Sequence, residues 1–265
     1  MTILITGAAG NIGKKLRAHL SGRYTLKLLD INTAGDPDIT AIDLSNWDDR
    51  LIGLFDDVDV VVHLAADPYD HKAWEELIPS NLDALSNVFV AAVKAGVPRV
   101  VFASSNHVMG GYSRAKGAGR WLTTTLEHRP GTHYESRVGN MCDSAPYGAM
   151  KLFGERLGKS YAQSAGAVCI AIRLGWVNRV GDNRPEDLPK DASIWFKQMW
   201  LSTRDMCQLM EQAITVPKEP KSFLVVNGMS DNEGMVWDIE ATKRLLGYVP
   251  QDGLKLMLSD TDLSD

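Results

Sequence analysis

The chain has 265 residues, 45% of them hydrophobic and 23% charged, enough to bury a sizeable core as one elaborated α/β domain or two closely joined lobes. A net charge of −5 argues against a broad nucleic-acid or acidic-membrane footprint, and no run reaches the roughly 20 apolar residues that span a bilayer. The cysteines (Cys142, Cys169, Cys207) form neither a CxxC pair nor a metal-ligand group, so a soluble cytoplasmic protein with reduced thiols and no metal is expected.

Short β-branched runs alternate with helical patterns through the first two thirds of the chain. "TILIT" (2–6) leads into a glycine turn and the helical "NIGKKLRAHL". Strand-like "YTLKLLD" (24–30), "DITAIDL" (38–44) and "DVDVVVHLAA" (57–66) follow. Next come a helix over 80–96, the strand "PRVVFASS" (98–105), a helix from "YGAMK" onward and the strand "AVCIAIRLG". Continuous apolar strands separated by helices predict a Rossmann-type doubly wound parallel sheet, with both faces covered. Residues 110–145 form a long connection of the kind that serves as a lid or an interaction arm. Beyond residue 176 the pattern shifts to a loop rich in charge, Gly and Pro. The helix "TRDMCQLMEQAIT", the strand "SFLVVNGM" and the helix "IEATKRLLG" then follow. We expect a domain over 1–175 carrying the 110–145 insertion, and a small C-terminal substrate lobe over 176–265, interleaved with it.

The turn "TGAAGNIG" (6–13) follows a strand and opens a helix. Gly7 permits a tight turn, Gly10 lets backbone N–H groups approach a pyrophosphate, and Gly13 lets strand and helix pack closely. Asn11 and Ile12 begin the helix. Asp30 ends the second strand, where a carboxylate accepts from both ribose hydroxyls and repels a 2′-phosphate. No Arg or Lys lies within 28–35, so NAD is expected rather than NADP. Asp43 and Leu44 either meet the adenine or belong to a solvated loop. Leu64, Ala65 and Ala66 leave room for the cofactor, while His63 is read as a buried, satisfied histidine.

In "PYGAMK" (146–151), Tyr147 and Lys151 stand four apart and therefore share one helical face. A phenol is a poor base at neutral pH. A neighbouring ammonium and a cationic nicotinamide would favour its phenolate. Ser105, at a strand end, is the candidate donor to a substrate oxygen.

The order TGxxGxxG, Asp30, "HLAA", "SSNHVMG", "YGAMK" resembles the extended short-chain dehydrogenase/reductase family (NAD-dependent epimerase/dehydratase-like). Within it, "FASSNH" and the compact length most resemble uronate dehydrogenases and related NAD-dependent sugar 1-dehydrogenases. The resemblance covers nearly the whole chain. It implies Tyr147 as base, Lys151 as its activator and ribose ligand, and Ser105 as donor to the substrate oxygen. Asn81 and Ser104 join the expected cofactor site, and Asn106, His107, Trp176 and Arg184 join Ser105 in the substrate site. Two features depart from the pattern: Trp176 follows "RLG" where a small residue is usual, and "HYESRV" has no match.

The implied reaction is oxidation of an aldose at its anomeric carbon to a lactone. Cations at Arg114, Lys116, Arg120, Arg129 and Arg137, with Arg179, Arg184 and Lys190 in the later loop, suit a hexuronate, hexose 6-phosphate or 6-sulfonated hexose, or simply form solvated basic loops. Trp176, Trp195 and Trp200 either wall the sugar or pack in the core. A sugar-nucleotide epimerase or reductase and a non-catalytic NAD-sensing regulator are the alternatives. The helices around "LDALSNVFVAAV" and "FGERLGKSYA" are apolar enough for the dimer contact common in the family, which implies a homodimer or homotetramer.

Overall fold

The computed structural model describes residues 1–113, 115, 119, 121–135, 141–179, 182–189, 192–217 and 223–255. Its strands are β1 (Thr2–Thr6), β2 (Thr25–Asp30), β3 (Ile39–Ala41), β4 (Val60–His63), β5 (Arg99–Ser105), β6 (His133–Glu135), β7 (Met141–Asp143), β8 (Val168–Leu174) and β9 (Phe223–Gly228). The helices are α1 (Asn11–Leu20), α2 (Arg50–Leu54), α3 (Trp74–Ile78), α4 (Ala84–Lys94), α5 (Ala145–Ala165), α6 (Ile194–Gln198), α7 (Thr203–Thr215) and α8 (Glu240–Leu246).

Among the described residues, seven strands form a parallel sheet in the order β3-β2-β1-β4-β5-β8-β9, and β6 and β7 pair as an antiparallel hairpin. The sheet is the expected Rossmann-type architecture. Ile3, Leu4, Ile5, Val100, Val101, Ile170 and Ile172 are all fully buried, as continuous apolar strands must be when helices cover both faces. The strand order reverses between β1 and β4. There the chain runs outward in both directions, and a crevice opens beyond the carboxyl ends of the strands.

The expected helix over 80–96 is shorter, with α4 starting at Ala84 after a wide π-helical turn over Pro79–Asp83. Two described elements of the span 176–265 pack with the first domain. β9 pairs with β8 as the seventh strand of the main sheet, and α7 buries Met206, Leu209, Met210, Ala213 and Ile214 in the same core as Leu16 and Leu20 of α1. A run as apolar as "FLVV" gains more from joining a sheet edge next to β8 than from standing in a small lobe. Met199, Met229, Met235, Trp237 and Ile239 of this span instead join Val108, Met109 and Leu122 in a separate apolar cluster. A bridge between Leu122 and Trp237 ties the insertion to the C-terminal segment.

Candidate active site

A cleft of about 1850 Å³ runs from the glycine turn, past the ends of β4 and β5, to α6. At its cofactor end, Gly7 adopts φ +72°, and a Cβ there would fall 2.7 Å from the Ala65 nitrogen. A Cβ on Gly13 would fall 2.2 Å from the Gly7 carbonyl oxygen, so strand and helix close on each other only through glycine. Gly10 caps α1 with extended backbone, and Asn11, Ile12 and Gly13 line the cleft, which leaves first-turn N–H groups for an anion. Asp30 also lines it, with its carboxylate accepting from the backbone N–H groups of Ala9 (2.9 Å) and Asn32 (3.0 Å). These bonds hold a negative acceptor at the end of β2. Arg17, which would otherwise offer a cation on this side, is bound to Asp36 and Asp38. The glycine cradle, the open helix start and the fixed acid fit a dinucleotide without a 2′-phosphate.

Leu44, Leu64, Ala65 and Ala66 line the same space. Asp43 lines it too, but its carboxylate takes the Ser45 hydroxyl, the Ser45 N–H and the Asn46 amide. The Ser45 hydroxyl in particular holds its carboxyl below the usual value, so this acid is occupied in shaping its own turn. Asn81 does not reach the cleft: its amide clamps both the N–H and the carbonyl of Asp67 (2.7 and 3.1 Å). Its part is to fix the loop after β4. His63 is buried, with Nδ1 2.7 Å from the Thr6 hydroxyl. Burial, reinforced by Lys151, pulls it down to about 3 and keeps it neutral.

Ser105, Tyr147 and Lys151 meet in the middle of the cleft. Ser105 ends β5, and its oxygen accepts from the His107 N–H at 3.2 Å. Pro146 occupies the first turn of α5, where its missing N–H costs nothing, and Tyr147 and Lys151 follow on one face. The Lys151 ammonium donates to the Ala103 carbonyl at 3.0 Å and sits 5.5 Å from the Tyr147 ring centroid. Burial lowers Lys151 to about 8, which still leaves it mostly charged at neutral pH. Burial is also the main reason that Tyr147 is held above the ordinary phenol range. Asp70 adds to this effect, while a hydrogen bond with Ser105 and the charge of Arg179 oppose it. The ammonium alone therefore does not produce a phenolate in the free protein, because desolvation of the phenol prevails.

Ser104 lines the cleft, but its hydroxyl donates to Glu155 at 2.7 Å. Glu155 also accepts two bonds of 2.8 Å from Arg173 of β8, which is fully buried. Tyr147, Lys151 and Glu155 thus recur every four residues along α5. The spacing was present in "YGAMKLFGE", and the third member fastens the helix to β5 and β8.

At the substrate end, Asn106 donates to the Leu174 carbonyl (3.0 Å), and its own carbonyl oxygen is buried with no hydrogen-bond partner among the described residues. His107 stands edge-on to Tyr147, with ring centroids 5.6 Å apart. Both of its nitrogens are engaged: Nδ1 with Ser144 at 2.7 Å and Nε2 with Asp70 at 3.3 Å. Burial keeps it below the usual histidine value, although Asp70 pulls the other way. Trp176 packs on Phe196 (4.7 Å between centroids), and both line the cleft together with Trp195. Trp200 does not, being a core residue whose indole N–H donates to Asn183.

Arg184 is a correction. It lies outside this cleft, in a separate surface depression, paired with Asp182. Asn183 turns the chain at φ +58° and bonds Asn178, Trp200 and Leu201, which points the next residue outward. Among the described residues of this loop, Arg179 is the cation that lines the cleft, its guanidinium 5.0 Å from the Tyr69 ring centroid. Of the other cations expected here, Arg129 lies over Tyr112, while Arg114, Lys116, Arg120, Arg137 and Lys190 lie outside the described residues, as does the end of "HYESRV". Sequence reasoning missed Asp70 and Tyr134. Neither carries a periodic or motif signal, since one sits in the loop after β4 and the other in the β6–β7 hairpin.

Residues 3–196 match the NAD dependent epimerase/dehydratase family. The chain is 31% identical over 261 residues to an NAD-dependent glucose-6-phosphate dehydrogenase of Haloferax volcanii, covering 94% of this chain and 93% of that protein. It is 32% identical over 252 residues to an L-arabinose 1-dehydrogenase (NAD(P)(+)) of the same organism, covering 94% and 96%. Among solved structures, the glucuronic acid dehydrogenase of Chromohalobacter salexigens superposes with a TM-score of 0.75 at 31% identity, covering 95% of this chain and 85% of that one. With the glycine turn, the strand-end acid and the Tyr–Lys helix facing one cleft, the chain belongs to the NAD-dependent epimerase/dehydratase family and is built for NAD.

Proposed function

We propose that the protein oxidises the anomeric carbon of an aldose, one bearing a carboxylate, phosphate or sulfonate at C6, to the corresponding lactone. The observation that carries this reading is the meeting of Ser105, Tyr147 and Lys151 with the glycine turn in a single cleft, in a chain whose relatives include sugar dehydrogenases. NAD, when bound, supplies a cationic nicotinamide that accepts the hydride from C1. Tyr147, as phenolate, takes the proton of the anomeric hydroxyl. Lys151, its ammonium 5.5 Å from the centre of the phenol ring, lowers the cost of that phenolate. Ser105 donates to the same sugar oxygen and stabilises the charge that develops there. Trp176 and Trp195 offer an apolar wall, and the planar fork of Arg179 suits a carboxylate or phosphate.

Val90 and Val93 of α4 and Phe153 of α5 are more than two-fifths exposed; in our reading a second copy of the chain covers them. Among the described residues no helix is long and apolar enough to cross a membrane, and free thiols fit a reducing cytoplasm.

The test is a panel of D-glucuronate, glucose 6-phosphate and L-arabinose assayed with NAD by absorbance of NADH. Tyr147→Phe is expected to abolish NADH formation while retaining NAD binding. Turnover by that variant would remove Tyr147 from its role. Turnover of L-arabinose alone would remove the acidic C6 group. Light scattering of the purified protein reads the oligomer, and a monomer would refute the proposed contact.

A further inference from the structure

Both nitrogens of the His107 ring face protein groups, Nδ1 the Ser144 hydroxyl and Nε2 the Asp70 carboxylate. The Ser144 oxygen accepts the Thr132 N–H at 2.7 Å, and of the two acceptors its own proton can reach, the Thr132 carbonyl at 3.4 Å and His107 Nδ1 at 2.7 Å, the ring nitrogen is the nearer. Nδ1 is then an acceptor and Nε2 carries the hydrogen, a tautomer favoured by the Asp70 carboxylate oxygen 3.3 Å from Nε2. The order Ser144–His107–Asp70 is superficially that of a nucleophilic triad. Ser144 is fully buried, however, and its oxygen already holds a backbone N–H, so it fixes the tautomer and attacks nothing.

What the network delivers to the cleft is the Asp70 carboxylate. Tyr134 donates its single hydroxyl proton to it, at 3.1–3.2 Å from both oxygens. The Asp70 side chain is 21% exposed and lines the cleft. Among the described residues no Lys or Arg pairs with it; the ring of His71, 3.7 Å away, is the other charged-capable contact. A carboxylate has about four acceptor sites; Tyr134 supplies one proton, and the His107 ring beside it is a charge contact rather than a hydrogen-bond donor. Asp70 shares the cleft with Tyr147 and is close enough for its charge to act on that phenol.

Resting on the dehydrogenase reading above, we propose that Asp70 is a substrate-positioning residue: its carboxylate, held by His107 and Tyr134, accepts hydrogen bonds from hydroxyls of the sugar and turns any anionic group of that sugar away from itself, towards Arg179. A partly buried carboxylate with rigid neighbours and unfilled acceptor sites suits vicinal hydroxyls, which bring two donors on adjacent carbons. It repels a carboxylate or phosphate at the same spot. Asp70 and Arg179 would then define the two ends of one bound sugar, with its anomeric hydroxyl at Ser105 and Tyr147.

The test compares wild type, Asp70→Asn and Tyr134→Phe by calorimetric titration with NAD and with D-glucuronate, glucose 6-phosphate and L-arabinose, alongside kcat and KM for each sugar. Asp70→Asn retains the shape and one acceptor oxygen. It is expected to weaken binding and raise KM of the accepted sugar about 10- to 100-fold, the range of a hydrogen bond to a charged group. NAD affinity should stay within about twofold. Tyr134→Phe is expected to fall between wild type and Asp70→Asn. A deoxy analogue of the accepted sugar that lacks the contacted hydroxyl should bind wild type and Asp70→Asn alike. Sugar affinity unchanged in Asp70→Asn, or NAD and sugar affinities lost together, would assign Asp70 a merely structural role. Sugar binding without NADH formation would overturn the dehydrogenase reading while the affinity ratio still decides Asp70. A wild-type protein that binds none of the three overturns both.

Discussion

Lys151 is expected to weaken the fold that it serves. Its ammonium is buried at the strand ends with one hydrogen bond among the described residues, to the Ala103 carbonyl, and burial takes it from an ordinary 10.5 to about 8. That displacement disfavours the charged form by about 3 kcal/mol. At neutral pH both folded and unfolded chains carry the proton, so the folded state bears the whole penalty. Between pH 8 and 10.5 the unfolded chain holds the proton while the folded one releases it. Stability therefore rises with pH through that window, and the penalty fades. Lys151→Met keeps the aliphatic stem and removes the charge. Allowing about 1 kcal/mol for the lost hydrogen bond, the variant should be about 2 kcal/mol more stable than wild type at pH 7, and no more stable by pH 10.5. Urea unfolding followed by tryptophan fluorescence at both pH values measures this, with NADH formation, expected to be lost, read in parallel. A variant less stable than wild type at pH 7, or an advantage that does not decline with pH, would refute the reasoning.

Three further outcomes are expected. Glu155→Gln leaves the fully buried Arg173 without its counter-charge and should cost about 3–5 kcal/mol in the same unfolding experiment; a double variant replacing both residues with apolar ones should recover part of it. Gly13→Ala places a Cβ 2.2 Å from the Gly7 carbonyl oxygen, and NAD titration should show at least about a tenfold loss of affinity. Arg179→Ala should raise KM for an acidic sugar about 10- to 100-fold and leave L-arabinose within about twofold, as steady-state kinetics would show.

Several parts of the site were legible in the chain because their geometry is local. A strand, a turn with glycines at 7, 10 and 13 and a helix start occupy a dozen consecutive residues, and Tyr147 and Lys151 share a face because helical periodicity puts them there. Asp30 was readable as the end of an apolar run. Local reading stopped at packing. Ser104 and Ser105 are neighbours on an extended strand and so face opposite ways, yet nothing local says that one meets a buried Glu155–Arg173 pair while the other meets Tyr147. Arg184 looked equivalent to Arg179 in a basic loop, until the left-handed turn at Asn183 separated them.

By itself, then, the sequence determined the parallel α/β sheet, the dinucleotide turn and the Tyr–Lys helix face, each of which follows from periodicity and backbone sterics over a few residues. Only the tertiary structure decided that "SFLVVNGM" completes the main sheet beside β8, that His107 is locked between Ser144 and Asp70, and that Tyr134, 64 residues away, reaches the same carboxylate. Such contacts join segments with no shared period. They are selected by which loop closures bury apolar surface and leave polar groups partnered, a property of the whole packed chain.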